Sequence, residues 1–229
     1  MTLRALSFFC ALISLTSGCA MHKSALPKIT TDQHSLVRLH RLHWPEKTDP
    51  LGRPAQLKNI LLLPPLGIKD SETQRKLQQH LYSATQRHFY TPIKMVLADS
   101  SYAPYISKKN LIFDDGTINI EEIAFIGTLM NSSHILFPYV RELKPYHPQL
   151  LDIQLMLIDA NTGKICAELT SVFDARESDV RTHFINYCMR QKNEQEPSDI
   201  QHFKIKSPDT FQAFVSEMCS AVMADELSL

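Results

Sequence analysis

Glycine is scarce in this chain, six residues among 229, which excludes a glycine-rich phosphate cradle. No charge of either sign dominates. The 24 basic residues balance 24 acidic ones, so nothing points to nucleic acid or to an anionic membrane surface as a partner. The chain carries no GxSxG, HExxH, P-loop or dinucleotide fingerprint. Its five cysteines include no CxxC pair, the spacing that zinc sites favour. The ten histidines are scattered. His40 and His43 lie three apart in a predicted strand and so on opposite faces. His80 and His88 share a helix face but sit about two turns apart, too far to chelate one ion alone. Asp114-Asp115-Gly116 lacks the alternating ligands and closing Glu of a calcium loop and reads as a turn. Cys188 with His183 as its base would need one helix face, and five residues is poor spacing for that. No catalytic residue, metal or cofactor is expected, and an enzyme is not the reading.

What is present begins at the N-terminus. Arg4 precedes an apolar segment, Ala5 to Leu15, followed by Thr16-Ser17-Gly18-Cys19. A positive start, a short apolar stretch and small residues before a cut describe a secretory signal, and the stretch is too short to span a bilayer as a helix. The cysteine after Ser-Gly resembles a bacterial lipoprotein lipobox, with Thr16 standing where Leu, Val or Ile is usual. That resemblance implies that residues 1–18 are removed and that Cys19 is acylated as the mature N-terminus. Ala20 is not the aspartate that retains many lipoproteins in the inner membrane, so the outer membrane, facing the periplasm, is expected. Residues 19–35 read as the lipidated cysteine and a flexible tether, spanning about 22 Å as a coil and about 50 Å fully extended. Residues 36–229 read as one periplasmic domain. With Cys10 in the signal and Cys19 lipidated, Cys166, Cys188 and Cys219 remain. Export meets an oxidising compartment, and the expected pair is Cys188 with Cys219, on the last two helices. Cys166, on the polar face of its strand, is the expected free thiol.

Along the domain, Leu36 to His43 is a weak strand. Asn59 to Pro64 is a short uninterrupted apolar run, the pattern of a buried central strand. Ser71 and Gln74 have capping-box spacing and open a helix with Leu77, Leu81, Ala84 and His88 on one side. Ile93 to Leu97 is a second short strand. Asn119 caps a helix that buries Ile123, Ile126 and Met130. A strand follows from about His134, in which Pro138 argues for an edge or a bulge. Leu151, Ile153, Leu155 and Leu157 then alternate with Asp152, Gln154 and Met156. Past Asp159-Ala-Asn-Thr-Gly163, Ile165, Ala167, Leu169 and Phe173 alternate with Cys166, Glu168 and Thr170. This is a hairpin with one buried face, Gly163 left-handed, and Leu157 opposite Ala167, Leu155 opposite Leu169 and Leu151 opposite Phe173. Two C-terminal helices close the chain. The fold class is α+β: a single mixed sheet, β-α-β-α-β-β-β, with helices packed against it. The loop Lys144-Pro-Tyr-His-Pro148 is the candidate partner contact, with Tyr146 and His147 at its tip.

Three stretches together, NILLLPPLG, IAFIGTLMNSSHILFPYV and LMLIDANTGKICAEL, resemble periplasmic lipoproteins around the curli-secretion lipoprotein, the penicillin-binding-protein activator lipoproteins and the N-terminal domain of the Tol–Pal translocation protein. The segment from Phe137 to Ala175 is also similar to uncharacterised lipoproteins of planctomycete-type bacteria. The resemblance covers residues 57–175. It implies a lipid-anchored scaffold or regulator that acts on unidentified envelope proteins by contact, with no nucleic acid partner. The alternative is a subunit of an envelope secretion or pore assembly, and a homo-oligomer stays open. The curli exporter builds its pore from two long amphipathic hairpins. Residues 98–118 and 190–206 are short and lack the sustained alternation of about ten residues per strand that such hairpins need, which argues against a pore formed by this chain.

Overall fold

The computed structural model describes residues 36–41, 57, 59–89, 91–96, 104–106, 108–191 and 204–227. The expected signal, Cys19, the tether and His43 lie outside them. Among the described residues, six strands form one mixed sheet: β1 (Arg38–Arg41), β2 (Ile60–Leu62), β3 (Ile93–Met95), β4 (His134–Lys144), β5 (Leu150–Asp159) and β6 (Ile165–Asp174). They lie side by side in the order β1-β6-β5-β4-β2-β3. The helices are α1 (Ser71–His88), α2 (Lys108–Leu111), α3 (Ile120–Leu129), α4 (Ser178–Arg190) and α5 (Pro208–Leu227). The protein is α+β, as its sequence implies.

The apolar run is the central strand it predicts. β2 pairs in parallel with β3 on one side and β4 on the other, and Ile60, Leu61, Leu62 and Leu63 are fully buried. Both faces of the sheet are covered here. Ile60 and Leu62 join a large core beneath α1, α4 and α5. Leu61 and Leu63 join a smaller one with Leu111, Ile123 and Ile126 of α2 and α3. Gly127 lets α3 sit this close, since a Cβ there would lie 2.4 Å from Ile135 Cδ1. Gly67, at φ 94°, is as constrained. A Cβ there would lie 1.9 Å from the carbonyl oxygen of Val140.

The hairpin register agrees pair for pair with the reading of the sequence, Leu151 with Phe173, Leu155 with Leu169 and Leu157 with Ala167, and Gly163 is left-handed at φ 65°. Four local expectations are corrected. Met156, expected on a solvated face, is buried, because α2 and α3 cover that end of the sheet and give the hairpin a second buried face. Cys166, expected on the polar face, belongs to the large core. The pairing steps from Leu157–Ala167 to Ile158–Ile165, so Cys166 is the extra residue of a bulge, which turns its side chain to the same face as Ala167. Pro138 lies in an interior strand, not at an edge, and the strand does carry a bulge, three residues on, where the pairing shifts between Val140 and Glu142. Its carbonyl accepts from Leu66 N at 3.1 Å, so its nitrogen faces the β2 side, where β2 has already ended and Pro64-Pro65 run past. No donor is needed there. Finally, α1 is capped by Asp70, not Ser71. Asp70 Oδ2 accepts from the Thr73 hydroxyl at 2.5 Å and from Thr73 N at 2.8 Å, which together hold the carboxyl below its ordinary range.

α1 and α5 pack across the large core and run in the same direction. His80 Nε2 lies 2.9 Å from Asp209 Oδ1 and His88 Nε2 lies 2.8 Å from Glu217 Oε1. Arg87 also pairs with Glu217. Beside the second of these charged contacts, Thr85 and Ser220 meet at 3.2 Å in a buried position. Phe173, Phe184, Phe211 and Phe214 fill the space under α4, with ring centroids 5.1–6.1 Å apart. Burial alone would raise the Glu217 carboxyl, but hydrogen bonds from His88 and Arg87 outweigh it and hold the group below its ordinary value of 4.5.

This packing predicts two outcomes. Leu62→Asp places an unpaired charge in a fully buried strand and is expected to destabilise the protein by about 3–5 kcal/mol, measured by thermal or chemical denaturation; stability equal to wild type would refute the central position of β2. The depressed Glu217 stabilises the folded state above its unfolded value and loses that contribution as pH falls through its folded one. The melting-temperature deficit of Glu217→Gln should therefore be largest near neutral pH and shrink below pH 4.5. A deficit independent of pH would show that the carboxylate charge is not what the seam uses.

Candidate functional site

One end of the sheet collects the features that could meet a partner. β4 and β5 are joined there by residues 145–149. Tyr146 is 81% exposed and His147 is exposed beside it. The base of the loop is fixed by Gln149, whose residue is fully buried. Its carbonyl accepts from Ala175 N at 2.9 Å and its Nε2 donates to Ile205 O at 3.2 Å. His147 Nδ1 sits 3.3 Å from Gln149 Oε1. The sequence-predicted pair is thus brought together on a projecting tip with an anchored stem.

Beside the tip, half of one sheet face carries no helix among the described residues. The second half of β5 is apolar on both sides because α3 covers it, whereas the first half alternates, with Asp152 and Gln154 turned to the uncovered side. Asp152 Oδ1 accepts from Arg141 Nε and Nη2 at 2.9 and 2.6 Å. Gln154 Nε2 donates to Glu168 Oε1 at 2.6 Å. Arg141 is the extra residue of a bulge in β4, where the pairing shifts between Val140 and Glu142, and its guanidinium reaches across to β5. At the end of β6, a fork of hydrogen bonds from Arg176 holds the Asp174 carboxyl below its ordinary range.

A cleft of about 510 Å³ opens between β6 and the start of α4. Thr170, Ser171 and Val172 line one wall, Glu177 and Asp179 the other, and Arg38 of β1 one end. Sequence reasoning misses this cleft. Its visible trace is the alternation in the first half of β5 and the acidic pair flanking Ser178, but no sequence pattern says that β1 stops short of the end of β6.

The chemistry elsewhere is quiet. Cys188 and Cys219, expected to form a disulfide, are free thiols in the structure, as is Cys166, and all three are buried. Burial pushes the Cys166 and Cys188 thiols up to about 11, and Cys219 higher still, so none is a thiolate nucleophile near neutral pH. His183 holds the Asp179 carbonyl at 2.8 Å and Cys188 faces the core, so the two do not meet. Asp115 Oδ1 closes its own turn on Thr117 N at 2.9 Å, and Asp159 Oδ1 likewise accepts from Asn161 N at 2.7 Å. Among the described residues, no group of three or more His, Cys, Asp or Glu side chains is placed to hold a metal, and no helix is long and apolar enough to cross a membrane.

No protein-family model matches this chain, and no curated protein matches it. Solved structures similar to it include the PelC dodecamer from Paraburkholderia phytofirmans, with a TM-score of 0.39 and 9% identity over 64% of this chain and 88% of that one. The lipoprotein GNA1162 from Neisseria meningitidis has a TM-score of 0.37 and 15% identity over 60% of this chain and 99% of that one. TolB from Acinetobacter baumannii has a TM-score of 0.29 and 14% identity over 72% of this chain and 33% of that one. These likenesses are remote.

Alkylation in denaturant without reductant, read by peptide mass spectrometry, is expected to label Cys166, Cys188 and Cys219 alike. Label on Cys166 alone would mean that the other two are bridged.

Proposed function

We propose that this chain is a lipid-anchored protein of the bacterial envelope that scaffolds or regulates an envelope machine through protein contacts rather than by catalysis. The anchor is Cys19, expected to face the periplasm from the outer membrane. The observation that carries the contact reading is the β4–β5 end of the sheet, where an aromatic tip projects into solvent from a buried, hydrogen-bonded stem. A held loop loses little freedom on binding, and an exposed tyrosine offers a large apolar face with one polar handle.

The test has two arms. Cys19→Ala should abolish labelling by a fatty-acid analogue and displace the protein from the outer-membrane fraction of a sucrose gradient; unchanged labelling would remove the anchor from this reading. Tyr146→Ala should leave stability within about 0.5 kcal/mol of wild type, yet reduce in-cell crosslinks to a specific envelope protein at least fivefold. Unaltered crosslinks would take the tip out of the contact. A ring of identical subunits in detergent would favour the secretion-assembly reading instead.

A further inference from the structure

We propose that the cleft between β6 and the start of α4 binds an extended peptide segment of a protein partner, paired to the main chain of Val172 and sorted by charge. This rests on the reading of the protein as a contact module and names the site and the ligand class. The first observation is a place on the sheet edge that no described residue pairs with. Ala175 N donates to Gln149 O, on the β5 side. Main-chain groups alternate along a strand, so Phe173 and Ser171 also face β5, and Val172 faces the β1 side. β1 pairs with β6 only as far as Arg38 opposite Thr170. Beyond that the Ser171 hydroxyl reaches the Leu36 carbonyl, and neither Val37 nor Leu36 joins the ladder. No described residue accepts from the Val172 N–H or donates to its carbonyl. An edge residue left this way is a template for one more strand.

The second observation is the chemistry of the walls. Val172 is 53% exposed and lines the cleft with Leu36 and the buried Val180, an apolar surface suited to one aliphatic side chain. Arg38 stands at one end without an ion pair among the described residues, whereas Arg141 is already tied to Asp152. Glu177 and Asp179 stand on the far wall, and Glu177 makes no capping hydrogen bond to α4. The matching ligand is a strand with an acidic residue for Arg38, an aliphatic residue beside Val172 and a basic residue for Glu177 and Asp179. A nucleic acid or an anionic membrane would meet two carboxylates, and a purely apolar ligand would strand three charges. The volume lies in the range of sites that enclose small ligands or a few residues.

Capped peptides of the order acidic–x–aliphatic–x–basic, and the reverse order, are titrated against the full-length lipidated protein in nanodiscs. One order should bind at least tenfold tighter than an uncharged analogue. N-methylation of the aliphatic residue's amide should weaken it at least tenfold, as main-chain pairing requires. Arg38→Glu should do the same, and a peptide with its acidic residue changed to lysine should restore binding to that variant. Arg38 is exposed, so the variant keeps the fold, which is checked by its melting curve. Equal binding of charged and uncharged peptides, or indifference to N-methylation, overturns the proposal. In cells, a photocrosslinker at Val172 should capture the same envelope protein as one at Tyr146. Capture from Tyr146 alone overturns this site and leaves the contact reading standing; capture from neither overturns both; capture of lipid or of a second copy at Val172 overturns the peptide assignment.

Discussion

A strand made only of apolar residues can be buried without penalty only if both faces of its sheet are covered, and Ile60, Leu61 and Leu62 have no exposed surface at all. That demand organises the molecule. It calls for α1 and α5 on one face and for α2 and α3 on the other, and it places β4 beside β2 as a second strand buried on both faces over its first half. The second, thinner helical layer is short. It covers Ile135, Phe137, Met156 and Ile158 and then runs out. Past that line the same strands need only one covered face, and their sequence changes from continuous apolar to alternating. The polar half-face is thus the complement of the doubly buried half.

Much of this is legible from periodicity. The register of the β5–β6 hairpin follows from matching one apolar face to another, since a slip of one residue would turn every side chain over. Caps and turns are legible where a side chain has one obvious use, as at Asn119, whose Oδ1 accepts from Glu122 N. The misses have physical causes of the same kind. Ser71 and Asp70 both suit a helix start, and only geometry chooses between them. A bulge adds one residue without changing composition, so Cys166 cannot be sided from its neighbours. Pro138 is tolerated inside the sheet because β2 ends before reaching it, a fact about chain length on the adjacent strand. Alternation alone turns Met156 outward, because it cannot see a helix arriving on the second face.

The candidate site divides in the same way. Tyr146 and His147 are local to one loop and can be read directly from its prolines and aromatics. The cleft is assembled from β1, β6 and the first turn of α4, and Leu36 and Ser171, which meet in it, are 135 positions apart along the chain. Its character depends on where one strand stops. Cysteine pairing is an inference from compartment and helix order. In the structure all three thiols are free and buried. Contact surfaces of this kind leave weak traces in sequence because their residues need only be polar and exposed. Cores are conspicuous because their residues must be neither.

The matched contacts between α1 and α5 have a consequence for how the chain comes to be folded. His80 meets Asp209 and His88 meets Glu217, eight positions apart on both helices. A slide of one turn, about 5.4 Å, would therefore separate both at once, and the pairs act as teeth that hold the register. The partner that carries the other set of teeth is synthesised more than a hundred residues later. Until residues 208–227 exist, Leu77 and Leu81 have no lid, and the largest core of the molecule lies open to solvent and to other chains. Closure by so distant a segment is slow on topological grounds. The final helix works as the latch of the fold, and a nascent chain can stay unlatched, and so threadable, for most of its synthesis.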